Sequence, residues 1–162
     1  MLGMGETKPL AGTAAEVVEC SMEAAYSFIG HGFFENYRKW CPQVVELEPL
    51  SPPPIGEGAK GRQVTLERGI KSESTFRISA FRPLGLIAIA GVSEPFNSSY
   101  ALEAAGDERT KLAFSFELEE LDLAMRPFQK LIRVALQEGA AQTVENLKTL
   151  LESPAAQAIR VA

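Results

Sequence analysis

The sequence contains few of the residues on which most catalytic and metal-binding sites depend. Among 162 residues there is one histidine, His31, and there are two cysteines, Cys20 and Cys41. Two cysteines placed in this way do not have the ligand spacing of a zinc or iron site, and they do not make a disulfide framework. We therefore expect two free thiols, no bound metal and no cofactor.

Positive charge is also in short supply. Sixteen Lys and Arg residues stand against twenty-one Asp and Glu residues, which gives a formal net charge of −5. The sequence has no cluster of Lys and Arg that could follow a phosphate backbone. It therefore predicts a protein that does not bind nucleic acid.

Long apolar runs are absent as well. No stretch approaches the roughly 20 apolar residues that cross a bilayer. The first thirteen residues lack the basic region and the hydrophobic core of a secretory signal. These features predict a cytoplasmic protein with no integral membrane segment.

The longest periodic pattern runs from Leu121 to Glu152 and predicts one long C-terminal helix. Its expected buried face contains residues at helical spacing: Met125, Phe128, Ile132, Ala135, Leu136, Gly139, Thr143, Leu147 and Leu150. The middle of this face is small, and a glycine within a helix costs about 1 kcal/mol relative to alanine. Gly139 therefore indicates either the close approach of another element or a cavity beside the helix.

The rest of the chain predicts a single domain over residues 13–152, which is long enough to bury one core. Residues 1–12 carry three glycines and a proline and are expected to form a mobile tail. Residues 153–162 are expected to form a C-terminal extension.

The first third of this domain predicts a strand, two short helices and a second strand. The strand covers Thr13–Cys20, and Ser21 is a suitable N-cap for a helix over Met22–Ile29. A second helix is predicted over Phe33–Trp40, and an alternating strand over Gln43–Leu50.

From Arg62 to Glu120 apolar and polar residues alternate, which predicts antiparallel strands joined by short turns and about seven strands in all. The segment Gly56–Gly61 fits the letters G-x-G-x-x-G, but a proline run precedes it and a strand pattern follows it. A dinucleotide site needs a strand before and a helix after this motif, so we predict a turn. A sheet curved around one helix encloses more volume than the helix fills, which leaves either a pocket or an aromatic core.

This order of elements, with particular residues at the joins, resembles the START-related (SRPBCC) superfamily, and most closely its polyketide cyclase/dehydrase-like branch. The resemblance extends from about Ala14 to Glu152. The residues that carry it are the opening strand and helix Glu16–Ile29, the junction Trp40-Cys41-Pro42-Gln43-Val44, the turn glycines Gly56, Gly58 and Gly61, the hairpin residues Tyr100, Leu102, Gly106, Thr110 and Leu112, and the helix end Leu147–Glu152.

The resemblance implies an α+β helix-grip (START-like) fold. In that fold a seven-stranded antiparallel sheet wraps around the long C-terminal helix, two short helices lie between strands 1 and 2, and a hydrophobic cavity separates helix and sheet. Members of the superfamily include lipid and sterol carriers, aromatic polyketide cyclases and quinone-binding proteins. The matched motifs are scaffold residues, so the resemblance assigns no catalytic residue.

The inward-facing rows of this fold supply the candidate ligand-binding residues. They are Val64, Leu66, Ser74, Phe76, Phe96, Ser98, Tyr100, Phe114 and Phe116 on the strands, and Met125, Phe128, Ile132, Ala135 and Gly139 on the helix.

Three functions remain open at this stage. The first is a carrier that binds a small hydrophobic, lipid-like or aromatic molecule in the cavity. The second is a cyclase or dehydratase in which Tyr100, His31 or Arg68 handles protons. The third is an interaction module, or a homodimer, that docks through the apolar strand Leu84–Val92.

Overall fold

The computed structural model describes residues 9–153, so the predicted tail before Pro9 and nearly all of the predicted C-terminal extension lie outside it. Its seven strands are β1 (Leu10–Val18), β2 (Val44–Pro49), β3 (Lys60–Glu67), β4 (Ile70–Arg82), β5 (Leu86–Gly91), β6 (Phe96–Gly106) and β7 (Arg109–Leu118). They form one antiparallel sheet in the order β1-β7-β6-β5-β4-β3-β2. The first strand begins at Leu10, so the last residues of the predicted tail belong to the sheet.

The helices lie between the first two strands and at the end of the chain. They are α1 (Met22–Tyr26), a π-helical turn (Ser27–His31), α2 (Phe33–Trp40), a 3-10 turn (Leu123–Phe128) and α3 (Gln129–Leu151). The Ser21 side chain accepts a hydrogen bond from the Ala24 backbone N–H at 3.1 Å, which confirms the predicted N-cap. This element order confirms the predicted helix-grip fold. No helix in the described part of the chain is long and apolar enough to span a membrane.

The C-terminal helix begins later than predicted. The sequence pattern indicated one helix from Leu121, but α3 begins at Gln129, after the 3-10 turn that contains Pro127. Proline has no backbone N–H, so an α-helix that began at Leu121 would lose a hydrogen bond and meet a steric clash at Pro127.

The buried face of α3 also differs from the predicted stripe. Its buried residues are Ala140, Val144, Leu147 and Leu151, all in its C-terminal half. Leu131 and Val134, in the first half, are 69% and 55% exposed. The second half of α3 is therefore the part that anchors it in the core.

Helix α3 is held against one edge of the sheet rather than over its middle, since it packs mainly on β1. The space for a side chain at Gly12 is taken by the backbone carbonyl of Leu136. The Gln137 side chain donates to the Thr13 carbonyl at 2.6 Å and accepts from the Thr13 N–H at 3.1 Å. Further along, Lys148 Nζ donates to the Val17 carbonyl at 2.8 Å. Much of the concave face of the sheet is thus left uncovered by the helix.

Aromatic side chains of α2 fill the space between the short helices and the sheet. Phe33 stacks on Tyr37 with ring centroids 4.5 Å apart, and both rings contact Phe76 of β4 edge to face. Phe33 and Phe76 are fully buried. Such contacts fix ring positions in addition to burying apolar area.

Strand β5, on which the interaction-module hypothesis relied, has one face in the core and one face partly exposed. Ile87 and Ile89 are 0% and 1% exposed and belong to the hydrophobic core. The alternate positions Leu86, Ala88 and Ala90 are half-buried, and two of them are small. Leu84 and Val92, at the ends of the predicted docking segment, are 40% and 47% exposed, so docking through Leu84–Val92 stays a prediction.

Candidate ligand cavity

A partly open cavity of about 560 Å³ lies between the concave face of the sheet and α3. It occupies the region that α3 leaves uncovered. Its walls come from α2 and the start of β2 with the segment between them, from β3, β4, β6 and β7, and from α3. The volume lies in the range typical of small-molecule sites.

One wall of the cavity is aromatic. Phe96 and Phe116 stack almost in parallel, with centroids 5.9 Å apart, because they project from neighbouring strands β6 and β7. Tyr100 and Phe114, directly paired on the same strands, lie 5.0 Å apart. Trp40 completes this wall from α2. Its indole Nε1–H donates to Tyr100 Oη at 3.1 Å.

The helix side of the cavity is built from small residues. Ala135, Gly139, Ala140 and Thr143 line it, and Leu136 is the one larger α3 side chain in the lining. A Cβ atom added at Gly139 would meet nothing within 4 Å, so no packed neighbour demands a glycine there. The sequence left two interpretations of Gly139, the close approach of another element or a cavity beside the helix. The structure supports the cavity.

A polar strip crosses the cavity wall on β3 and β4. Gln63 and Ser74 are paired across these strands, and Gln63 Nε2 donates to Ser74 Oγ at 3.2 Å. Gln63 is 5% exposed. Its second polar atom, Oε1, is buried and accepts no hydrogen bond from any residue between 9 and 153.

On β3, the residues that face the cavity alternate with the residues that the sequence predicted to face it. Gln63 and Thr65 line the cavity, whereas Val64 and Leu66 do not. The cause is Gly61, which pairs with Phe76 and faces the Phe76 ring at a distance that leaves no room for a Cβ. Because side chains alternate along a strand, Gly61 facing inward also sets Gln63 and Thr65 inward.

The cavity contains eight of the predicted ligand-binding residues in its wall: Ser74, Phe96, Ser98, Tyr100, Phe114, Phe116, Ala135 and Gly139. Six others lie outside it: Val64, Leu66, Phe76, Met125, Phe128 and Ile132. Phe76 is buried behind the α2 aromatics, Met125 and Phe128 are exposed on the 3-10 turn, and Ile132 is half-buried.

Sequence reasoning missed several wall residues, chiefly Tyr37, Trp40, Cys41, Gln63 and Thr65. Trp40 and Cys41 lie in the junction motif on which part of the family resemblance rests. That motif was the feature of the sequence from which their place in the wall could have been predicted. No such feature marked Gln63 and Thr65, because the apolar side chains of Val64 and Leu66 predicted that the alternate positions of β3 face inward.

The hydroxyl and thiol groups in the wall are neutral at physiological pH. Burial raises the pKa of Tyr100 and of Tyr37 well above the ordinary value of tyrosine. Burial also raises the pKa of Cys41 to about 11, although a hydrogen bond with Tyr37 acts in the opposite direction. These groups can therefore orient a ligand, but none is tuned to exchange protons near pH 7.

The three residues considered for proton transfer are not brought together. His31 is exposed on the π-helical turn, where its ring lies 5.3 Å from Tyr26 and 5.5 Å from Phe81. Arg68 is exposed in the turn between β3 and β4, with a φ of 52°. Only Tyr100 lines the cavity.

The charged residues of the wall are all acidic. Glu67, Glu73 and Glu94 contribute to the lining, and each is exposed. The hydrogen bond from Arg62 Nε to Glu73, at 2.8 Å, lowers the pKa of that carboxyl group. No Lys or Arg is found among the wall residues within the described range.

Comparison with known proteins agrees with this architecture. The family described as "Polyketide cyclase / dehydrase and lipid transport" matches residues 11–152 of the sequence. No match was found among curated proteins.

Solved structures share the fold at low sequence identity. TTHA0849 from Thermus thermophilus has a TM-score of 0.69 and 15% identity, and the match covers 86% of this chain and 94% of that one. The Zhui aromatase/cyclase from a Streptomyces species has a TM-score of 0.72 and 11% identity over 89% of this chain and 94% of its own. For Ara h 8.0201 the TM-score is 0.64 at 14% identity, with coverage of 88% and 97%. At these identities the likeness shows the fold.

The fold and the cavity together define a helix-grip domain of the START-related superfamily, the architecture of a hydrophobic-ligand-binding domain. Within that superfamily the chain belongs to the polyketide cyclase/dehydrase and lipid transport family, which matches it over most of its length. Both levels of the resemblance seen in the sequence are thereby confirmed.

Proposed function

We propose that the protein binds a small hydrophobic molecule, lipid-like or aromatic, in the cavity between α3 and the concave face of the sheet, and that it acts by binding and carrying this ligand. The observation that carries the proposal is the 560 Å³ space bounded by stacked aromatic rings on one side and by Gly139 and other small residues on the other. Each Å² of apolar ligand surface buried there contributes about 25 cal/mol.

Trp40 provides a direct readout for this proposal. It is the one tryptophan of the chain, and it lies in the cavity wall. A ligand that enters the cavity changes the surroundings of its indole ring, so titration with hydrophobic molecules should change its fluorescence in a saturable way. Native mass spectrometry of the purified protein provides a second readout, in which co-purified ligand appears as added mass.

A pair of glycine substitutions separates cavity binding from surface binding. Gly139 and Gly56 both have open space at the position of a Cβ atom, but only Gly139 lines the cavity. Gly139→Phe should fill the cavity and abolish the fluorescence response, whereas Gly56→Phe should leave it unchanged. Equal responses from both variants would exclude the cavity as the binding site.

The second candidate is a cyclase or dehydratase that acts in the same cavity. The observation that favours it is the similarity in fold to the Zhui aromatase/cyclase across 89% of this chain. With Tyr100 and Cys41 neutral, the wall would accelerate a reaction by holding the substrate in a reactive conformation. A linear poly-β-ketone incubated with the protein should then yield cyclised products, and Gly139→Phe should reduce them to the level of buffer alone.

A further inference from the structure

The Gln63 carboxamide is the most unusual group in the cavity wall. The residue is only 5% exposed, and its Nε2 already donates to Ser74 Oγ. Its Oε1 is buried without a donor from any part of the described chain. A buried acceptor without a partner is uncommon in folded proteins and costly, so its position beside a ligand-sized space indicates that the partner comes from that space.

The charges in the cavity wall also favour a ligand that donates a hydrogen bond. Its ionised wall residues, Glu67, Glu73 and Glu94, are hydrogen-bond acceptors, and no cation lines the wall within residues 9–153. Arg62, which is not a wall residue, pairs with Glu73. An anionic ligand would therefore meet carboxylates and no cation in the described part of the wall, whereas a neutral hydrogen-bond donor would meet acceptors.

From these two observations we infer that the ligand is a neutral aromatic molecule with a hydroxyl group that donates a hydrogen bond to Gln63 Oε1, and that carboxylates of the same size, fatty acids included, are rejected. This inference rests on the proposed function and narrows it to one ligand class. The aromatic wall receives the ring system, and the strip formed by Gln63 and Ser74 receives the hydroxyl end.

Three naphthalenes of nearly equal size test the inference by isothermal titration calorimetry at pH 7. 2-Naphthol donates a hydrogen bond, 2-methoxynaphthalene can only accept one, and 2-naphthoate is an anion. We expect 2-naphthol to bind about tenfold more tightly than 2-methoxynaphthalene, since a buried acceptor gains its partner only from the former. 2-Naphthoate should bind most weakly.

Two Gln→Leu variants locate the effect. Gln63→Leu should lower the affinity for 2-naphthol to that for 2-methoxynaphthalene, with the latter unchanged. Gln142→Leu is the matched control because Gln142 is exposed on α3 and does not line the cavity, and it should leave the ratio of the two affinities as it is. If Gln63→Leu does not fold, the ratio measured with the unmodified protein decides the question alone.

The outcomes separate this inference from the function on which it rests. Equal affinity for 2-naphthol and 2-methoxynaphthalene, or tightest binding of 2-naphthoate, would overturn the inference and leave a hydrophobic carrier in place. Failure of all three to bind, together with no response of Trp40 to any hydrophobic molecule, would overturn the proposed function itself.

Discussion

The indole nitrogen of Trp40 donates a hydrogen bond to the phenolic oxygen of Tyr100 across 3.1 Å, and this bond ties α2 to β6 within the cavity wall. The two rings meet nearly edge to face, at 76° and 5.7 Å between centroids. The side chains are 1% and 2% exposed, so water cannot readily replace either partner. The bond therefore fixes the position of the aromatic wall relative to the short helices.

Removal of the Tyr100 hydroxyl group should destabilise the protein. Tyr100→Phe leaves the buried Trp40 N–H without its acceptor, and we expect the free energy of unfolding to fall by about 1–3 kcal/mol, measured by urea denaturation. Tyr26→Phe is the matched control. Tyr26 is equally buried, but its hydroxyl has no hydrogen-bond partner in the described chain, so its removal should be neutral or stabilising. A similar loss in both variants would contradict this account.

Substitution by alanine should change the stability of the protein in opposite directions at Gly139 of α3 and Gly12 of β1. Gly139→Ala adds a methyl group in open space and improves helix propensity, so it should stabilise the protein by about 0.5–1 kcal/mol. Gly12→Ala forces a methyl group against the Leu136 carbonyl and should destabilise it by about 1–3 kcal/mol. Thermal unfolding of the two variants beside the unmodified protein measures both changes. A stabilising Gly12→Ala would show that α3 does not approach β1 as described.

The thiol of Cys41 should react slowly with iodoacetamide at mildly alkaline pH. Its pKa is raised to about 11 by burial, and only the thiolate is the nucleophile. The rate of alkylation at Cys41, followed by mass spectrometry, should rise about tenfold per pH unit above pH 8 and show no plateau below pH 10. In urea, the same thiol should plateau in the ordinary cysteine range. A plateau near pH 9 in the folded protein would contradict the burial of this group.

The raised pKa values also fix the direction of the pH dependence of stability. For Cys41, Tyr37 and Tyr100 the folded protein retains a proton that the unfolded chain releases at lower pH. Their contribution is complete below the unfolded pKa values and is lost as the pH rises above them, from about 9 upward for Cys41. Urea unfolding should accordingly show a steady fall in stability from pH 9 to pH 11. A flat profile would be incompatible with burial of these groups.

Hydrogen exchange should divide α3 into two parts. Its second half is anchored by Ala140, Val144 and Leu147, whereas Leu131 and Val134 in the first half are exposed. Backbone amides near Leu131 should therefore exchange faster than those near Leu147, because local opening costs less where few apolar contacts are broken. Saturation with a ligand of the cavity should slow exchange around Gly139 more than around Leu147. Uniform exchange along the helix would contradict this division.

The order of strands and helices could be predicted from the sequence, because apolar residues recur with different periods in strands and in helices. Gly and Pro residues mark the turns between them. The sequence was also sufficient for much of the aromatic wall, since Phe96, Tyr100, Phe114 and Phe116 alternate regularly along β6 and β7. Both parts depend on local patterns that a single sequence displays.

Long-range packing decided most of the features that the sequence did not reveal. The inward row of β3 follows from the close approach of Gly61 to Phe76, which are distant in the chain. The buried, unpartnered oxygen of Gln63 depends on its pairing with Ser74 and could not be read from residue type. The late start of α3 has a local cause, since Pro127 fits a 3-10 turn as well as the first turn of an α-helix.

The unequal anchoring of α3 separates the residues that hold the helix in the core from those that border the cavity. The turns from Ala140 to Leu151 are committed to the core, so their side chains can vary little. The turns around Ala135 and Gly139 contact β1 through Leu136 and Gln137. Ala135 and Gly139 themselves border the cavity, so substitutions at these two positions can reshape it at small cost to the fold. A scaffold divided in this way can acquire new ligand preferences through substitutions in a few adjacent turns.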